Sequence, residues 1–351
     1  MSVRAYRAAV VGCGRIGAAF DDDPRRGYVS THAGAYAATE GFDLVALCDV
    51  DPERLSRYGE KFAVPGRYTS YDDLLAKEEL DAVSICTTVD THAPITAKAV
   101  AAGVRAVFCE KPVAGTLAAA DEMVTTCDNA GALLFVGHQR RFDRFHREVA
   151  AYIAGGGLGA VQQATAYYTA GLANTGTHLV DLLRQLVGEP EWVVGTMSRA
   201  PSGNPADPNV DGWIGFRGGA VAALQATDVK AYTIFEVNVL GTTGRLRVGD
   251  HGFSATYEAA VESRRFAGYN QLEPAAVPVD DSGRREYMLQ AMAHVRDCLD
   301  GAASPWSSGA DGRQALEILV ALRWSADHGG QRVDLPLPAS LRDAPYLQGS
   351  K

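Results

Sequence analysis

Glu110-Lys111-Pro112 closes a short apolar run, Arg105-Ala106-Val107-Phe108-Cys109, that reads as a buried strand. A lysine in that place, locked by the proline after it, points an ammonium group into whatever binds at that edge of the sheet. Near the N-terminus, Gly12-Cys13-Gly14-Arg15-Ile16-Gly17 follows another apolar strand, and further along His178 sits at a predicted helix start. A nucleotide fingerprint, a strand-end lysine and a helix-start histidine together point to a nicotinamide-dependent oxidoreductase acting on a hydroxyl or carbonyl carbon.

The fingerprint has a physical reading position by position. Gly12 makes the tight turn, Gly14 lets the backbone approach a pyrophosphate, and Gly17 allows a helix to pack closely on the strand. The N-terminus of the helix that should follow attracts the phosphates. The second strand ends in Asp49, whose carboxylate can accept both ribose hydroxyls and repels a 2′-phosphate, which favours NAD over NADP. Asp49 lies 32 residues beyond Gly17, where about 20 is typical. The excess matches a polar insert, Asp21-Asp22-Asp23-Pro24-Arg25-Arg26-Gly27, with a helix resuming near Thr31-His32-Ala33. The insert reads as an outward bulge, either a solvated loop or a cap over the site. Arg54 either reaches the adenine side or stands exposed on its helix.

The elements that position these residues alternate over the first third of the chain. Strands at Ala8–Val11, Leu44–Cys48, Ala82–Cys86, Arg105–Cys109 and Ala132–Val136 are separated by helical segments. Asp51-Pro52 and Ser70 supply helix starts, and Gly103 a helix stop. Such alternation implies a doubly wound parallel sheet, a Rossmann domain over residues 1–137. After Gly137 the strands come in pairs. Trp213–Phe216 with Ala220–Ala226, and Phe235–Leu240 with Arg245–Val248, read as hairpins. Amphipathic helices near Tyr287–Leu299 and Gln314–Ala326 close this part. Residues 138–340 thus read as an α+β domain on a largely antiparallel open sheet, for substrate binding and oligomerisation. Ala200–Asp211, with three prolines, is a loop, and the tail after Leu335 is a surface strap or partly disordered.

Composition bounds the function. The 351 residues are 47% hydrophobic and 21% charged, with a net charge of −9 and no basic stripe, which argues against nucleic acid as a partner. No apolar run reaches membrane-spanning length, and the segment after Arg4 and Arg7 is too short for a signal peptide. Six cysteines without a CxxC pair read as reduced core residues of a cytoplasmic protein. No metal site is expected. An antiparallel sheet with helices on one face predicts a homodimer or homotetramer.

Taken in order, the fingerprint at 12–17, Asp49, Thr87-Thr88-Val89-Asp90-Thr91-His92, Glu110-Lys111-Pro112, Gln139-Arg140-Arg141-Phe142 and Gly176-Thr177-His178-Leu179-Val180-Asp181 resemble the glucose–fructose oxidoreductase/inositol dehydrogenase (Gfo/Idh/MocA) family. The resemblance runs across nearly the whole chain. It implies that Lys111 lies beside the nicotinamide and the substrate oxygen, oriented by Glu110. It implies that His178 exchanges a proton with the substrate hydroxyl. Cofactor contacts are expected from Gly12, Gly14, Arg15, Ile16, Gly17, Asp49, Arg54, Thr87, Thr88, His92, Glu110 and Lys111. Substrate contacts are expected from Asn174, Asp181 and Arg141. Asp181 either holds His178 or anchors the helix, and Arg140 and Arg141 either bind an anion or position the second domain. Tyr167 and Tyr168 read as sheet packing.

Two positions depart from the family pattern. Many inositol-dehydrogenase-like members carry aspartate four residues before the histidine, where this chain has Asn174, which can bind a hydroxyl but cannot relay a proton. Thr88-Val89 stands where many members have Pro-Asn. The resemblance implies an NAD-dependent dehydrogenase of a cyclic polyol, sugar or sugar-like secondary alcohol. The alternatives are an NAD-dependent glycosidase or epimerase with transient hydride transfer, and a non-catalytic nicotinamide-sensing regulator.

Overall fold

The structure is a computed structural model in which residues 5–280 and 286–344 are described. The chain divides into two compact units, Met1–Asp143 with Arg285–Arg313, and Arg144–Arg284 with Gln314–Lys351.

The first unit runs β1 (Tyr6–Val11), α1 (His32–Ala38), β2 (Phe42–Cys48), α2 (Pro52–Lys61), β3 (Gly66–Tyr68), α3 (Tyr71–Lys77), β4 (Ala82–Ile85), α4 (His92–Ala101), β5 (Ala106–Cys109), α5 (Leu117–Ala130) and β6 (Leu133–Val136). The strands pair in parallel in the order β3-β2-β1-β4-β5-β6. Strands β4 and β5 are buried throughout, as both faces of a parallel sheet covered by helices require. The order reverses between β1 and β4, so the loops leaving these two strands open the crevice in which such sheets bind ligands. The helix ends follow the expected chemistry. The Asp51 carboxylate accepts the Glu53 and Arg54 N–H groups, Ser70 accepts that of Asp72, and Gly131 closes α5 at φ +66°.

Two features differ from the sequence expectation. No α-helix follows the fingerprint directly. Residues 14–18 form a turn, a 3₁₀ segment covers Ala19–Asp22, and α1 begins only at His32. The second difference is α8 (Tyr287–Leu299), which packs on α1 and belongs to the first unit, so this unit is built from two stretches of chain. Tyr287, Met288, Ala291, Met292 and Val295 join a core with Tyr36, Phe42, Phe108 and Phe135. An amphipathic stripe reveals that a helix has an apolar face, not which surface that face meets.

The second unit contains α6 (Arg144–Ala154), β7 (Val161–Tyr168), α7 (Thr177–Val187), β8 (Pro190–Met197), β9 (Val210–Phe216), β10 (Val221–Ala226), β11 (Phe235–Gly241), β12 (Gly244–Gly249), β13 (Ser254–Glu262), β14 (Asn270–Ala275) and β15 (Val333–Asp334). The helix α9 (Gly309–Asp327) enters it at Gln314. The sheet order is β14-β13-β12-β11-β7-β10-β9-β8-β15, antiparallel except where β7 meets β10. Both expected hairpins form, β9–β10 and β11–β12. Burial alternates along β7 and β11, with Ala164, Ala166, Tyr168, Phe235, Val237 and Val239 on the packed face. Tyr168 is held at both ends of one carbonyl–amide pair, since its hydroxyl donates to the Val210 carbonyl and accepts the Val210 N–H, each at 2.8 Å.

All six cysteines are free. Among the described residues no helix is long and apolar enough to cross a membrane, and no cluster of His, Cys, Asp or Glu could hold a metal. Of the tail after Leu335, a 3₁₀ turn at Ala339–Leu341 is described; residues 345–351 lie outside the described residues.

Candidate active site

The three fingerprint glycines each answer a different demand. Gly12 has φ +96°, and a Cβ on it would lie 2.6 Å from the Cys86 carbonyl oxygen, so β1 and β4 leave no room for a side chain there. A Cβ at Gly17 would lie 1.9 Å from the Gly12 carbonyl oxygen, which only a closed turn permits. Gly14 faces open space, with nothing within 4 Å of its Cβ position. That opening is the approach a pyrophosphate needs. Arg15 is exposed and Ile16 half-buried beside it.

The helix that should begin here is interrupted and then resumed. Ala18 N–H bonds to the Gly14 carbonyl at 3.0 Å, starting a first turn. The next rungs come from after the insert, His32 N–H to Ile16 O at 3.1 Å and Ala33 N–H to Gly17 O at 2.9 Å. The insert thus bulges from the helix and returns to it. Asp21 holds its base by accepting from the Ser30 N–H and hydroxyl at 2.7 and 2.9 Å and from the Thr31 hydroxyl. Asp22 ties it to α2 through Arg57, Tyr58 and Lys61 at 2.7–2.8 Å. The Lys61 hydrogen bond is the largest of the influences that hold the Asp22 carboxyl below the usual range.

Asp49 is 6% exposed at the C-terminal end of β2. Its Oδ2 accepts the Cys13 N–H at 2.6 Å, Oδ1 accepts the Asp51 N–H at 2.9 Å, and Arg54 Nη1 lies 3.3 Å from Oδ2. The carboxylate is therefore locked to the fingerprint turn. It borders a cavity of about 420 Å³ lined by Gly12, Gly14, Asp49, Arg54, Thr87 and Thr88 among others. Glycine backbone on one side and a fixed carboxylate on the other fit the pyrophosphate and ribose of a dinucleotide. Cys13 and Cys48 nearby are inert as thiols, because burial pushes each up to about 12.

The Glu110-Lys111-Pro112 turn leaves β5 with a cis Lys111–Pro112 bond. Two histidines bind it. His92, 1% exposed, has Nδ1 3.1 Å from the Pro112 carbonyl and Nε2 3.3 Å from the Thr87 carbonyl, which joins the loops after β4 and β5. Burial lowers its pKa against the pull of those carbonyls. His32, fully buried, has Nε2 3.1 Å from Glu110 Oε1 and Nδ1 2.9 Å from Ser84 Oγ. Burial alone would raise the Glu110 pKa. The His32 hydrogen bond and charge together with Lys111 outweigh it and hold the carboxyl below its usual range. Oε2 of Glu110 accepts the Lys111 backbone N–H at 3.2 Å. Nothing local to His32 in the sequence marks it as a partner of Glu110.

In the second unit Asn174, His178 and Asp181 share one continuous helical segment. A π-helical turn, Leu172–Gly176, leads into α7. Such turns recur at functional sites because they re-aim side chains. Asn174 is exposed, with its side-chain amide donating to the Ala170 carbonyl at 3.1 Å, and His178 is half-exposed. Asp181 is 1% exposed, lies 3.5 Å from Arg184 and accepts from Gln185 at 3.0 Å, the environment of a helix anchor. Arg141 stays in the first unit, paired to Asp311 at 3.1 Å and donating to the Trp306 carbonyl.

Asp207, from the proline-rich loop, completes this segment. Its two oxygens accept the Ala173 and Asn174 N–H groups at 2.8 and 2.9 Å, capping the π turn from a distant segment. Gly171, at φ +98°, makes room for it, since a Cβ there would lie 2.1 Å from Asp207 Oδ2. Nothing local in the sequence marks this aspartate.

A switch-point cradle with an acidic strand end beside it defines the first unit as a dinucleotide-binding domain of the nicotinamide oxidoreductase class. Comparison with known proteins narrows the class. Residues 6–138 match the oxidoreductase family with NAD-binding Rossmann fold, GFO/IDH/MocA, and residues 168–247 match the GFO/IDH/MocA C-terminal domain. Among curated proteins, the D-apiose dehydrogenase of Paraburkholderia graminis is 28% identical over 93% of this chain and 89% of its own, and the myo-inositol 2-dehydrogenase of Thermotoga maritima 26% over 92% and 96%. The crystal structure of the WlbA dehydrogenase from Bordetella pertussis in complex with NADH and UDP-GlcNAcA superposes with a TM-score of 0.75 at 26% identity, covering 95% of this chain and all of that one. The chain belongs to the Gfo/Idh/MocA family of NAD-binding oxidoreductases.

Proposed function

We propose that this protein transfers a hydride between NAD and the secondary alcohol or ketone carbon of a cyclic polyol, sugar or sugar-like substrate. The observation that carries the reading is the Glu110-Lys111-Pro112 turn, clamped by His92 and His32 at the end of β5 in the sheet whose switch point forms the dinucleotide cradle. Relatives named for D-apiose and myo-inositol, and a structural neighbour in complex with UDP-GlcNAcA, support the substrate class.

NAD supplies the hydride acceptor. Gly14 and the turn after β1 receive the pyrophosphate, and Asp49 takes the adenosine ribose hydroxyls. Lys111 hydrogen-bonds the reacting oxygen and stabilises the charge that grows on it as the carbon–hydrogen bond breaks. His178 takes the hydroxyl proton, a task suited to a side chain that titrates near neutrality. Asn174 binds a neighbouring hydroxyl, so no aspartate shares the proton here. In the reverse direction His178 returns the proton to the oxygen and the same groups reduce the ketone. Thiols without disulfides fit a cytoplasmic setting, and the sheet of the second unit supports a homodimer or homotetramer.

The test is NAD⁺ reduction over a panel of inositols, pentoses, hexoses and amino sugars, with Lys111→Met beside the wild type. Turnover of at least one panel member, lost by roughly a hundredfold or more in the variant while NAD still binds, is expected. Near-normal turnover in Lys111→Met overturns the assignment.

A further inference from the structure

The reaction as proposed assigns no step to the buried link between His32 and Glu110. His32 is fully enclosed, with the Phe108 ring meeting it edge-on at 4.9 Å. A buried imidazole with both nitrogens engaged is held in one orientation. On one side Ser84 Oγ lies 2.9 Å from Nδ1 and 3.2 Å from the Tyr36 hydroxyl. On the other side Nε2–H donates to Glu110 Oε1, since an ionised carboxylate only accepts. The other Glu110 oxygen accepts the backbone N–H of Lys111. Gly137 closes the far wall, where a Cβ would come within 2.6 Å of Glu110 Oε1. The carboxylate is thus held from three elements: α1, the turn after β5 and the end of β6.

We propose that His32 is a positioning residue of the reaction. Through Glu110 it fixes the backbone and the ammonium of Lys111 against the reacting oxygen, and the restapled helix after the insert exists to deliver it. This rests on the reading of Lys111 as the oxygen-polarising group. The alternative is that His32 is only a core residue that satisfies Ser84. The two roles use different ring nitrogens, so amide side chains separate them. Asparagine places its amide near the Nδ1 position and can reach Ser84. Glutamine places its amide near Nε2 and can reach Glu110.

The experiment measures kcat, KM and the NAD dissociation constant for His32→Asn and His32→Gln on the best panel substrate. His32→Asn should lose kcat on the order of tenfold or more, a loss typical of removing a buried charge-assisted hydrogen bond. NAD affinity should stay within about threefold. His32→Gln should recover most of that kcat. Equal kcat in the two variants, whether both high or both low, overturns the proposal. If His32→Asn does not fold, Glu110→Gln replaces it, with the same loss of kcat at retained NAD binding expected; unchanged kcat there also overturns it. Competitive acetylation of Lys111 at one pH reads the same link without substrate, and reactivity altered by His32→Asn but not by His32→Gln is expected; equal reactivity in both counts against it. Lys111→Met in parallel keeps the two claims apart. A Lys111→Met enzyme that still turns over sinks the proposed function, whereas an inactive one with indistinguishable His32 variants sinks only this inference.

Discussion

The His32 N–H donates to the carbonyl of Ile16 across a gap of sixteen residues, the bond that an unbroken α-helix makes across four. The helix after the fingerprint is therefore one helix with a loop inserted through its side. That account explains why the distance from Gly17 to Asp49 is long while the cradle and the carboxylate still stand in their usual relation.

Deletion of residues 20–31 should then close the helix by joining Ala19 to His32. The shortened protein is expected to fold and to bind NAD within about threefold of the parent, because surface loops tolerate deletion when the backbone ends already meet. It should lose a few degrees in Tm, from the Asp22 contacts on α2 and the half-buried Tyr28. Calorimetry and a fluorescence titration with NADH check both. A variant that cannot bind the dinucleotide would show that the insert is part of the cradle.

Asp49→Asn keeps an acceptor oxygen for the Cys13 N–H and removes the charge. A ribose hydrogen bond to a carboxylate is worth about 1.5–3 kcal/mol, against about 0.5–1.5 kcal/mol to a neutral acceptor. NAD should bind roughly ten- to a hundredfold more weakly, and the preference for NAD over NADP should shrink, since the repulsion of a 2′-phosphate is gone while Arg54 remains. Parallel titrations with both cofactors decide it; an unchanged ratio rejects this role for Asp49.

Asp207 is the third test. Asp207→Ala leaves the Ala173 and Asn174 N–H groups without their carboxylate and should cost about 1–3 kcal/mol of stability. The larger effect should be on turnover with saturating NAD, because the π turn carries Asn174 and leads directly to His178. Gly171→Ala should reproduce the defect through the same carboxylate, which its methyl group displaces at a φ that alanine rarely adopts. Steady-state kinetics beside urea unfolding separates the two effects. Wild-type kcat in a destabilised Asp207→Ala would confine the residue to stability.

Acid should weaken the fold in two stages. The His92 pKa is depressed by burial below 6.5, so the unfolded state binds the proton first. Its contribution to stability is complete above that value and falls as pH drops through the window beneath it. Glu110 is depressed below 4.5, so its contribution persists above that value and is lost as pH falls through its lower folded value. Thermal unfolding of wild type and His92→Asn, followed from about pH 8 to pH 4, should show the first slope only in the wild type. A wild-type profile that stays flat as pH falls below about 6.5 contradicts this.

Much of the molecule is legible locally. The parallel sheet, the caps at Asp51 and Ser70, the hairpins at β9–β10 and β11–β12, the glycine cradle and the strand-end lysine each follow from a few neighbouring residues. Backbone turns, caps and strand burial are short-range properties, and the family motifs sit on them. Even the insert announces itself as a spacing error of about a dozen residues against the usual interval. What the amino-acid order could not disclose is which distant groups complete these local parts. That α8 leaves its sequence neighbours and packs on α1, that His32 bridges Ser84 and Glu110 with its two ring nitrogens, and that Asp207 caps a turn thirty-odd residues before it all depend on groups meeting across the fold. A histidine in a helix or an aspartate in a proline-rich loop carries no mark of its partner. Only tertiary packing, by burying both groups where water cannot satisfy them, forces each pair together.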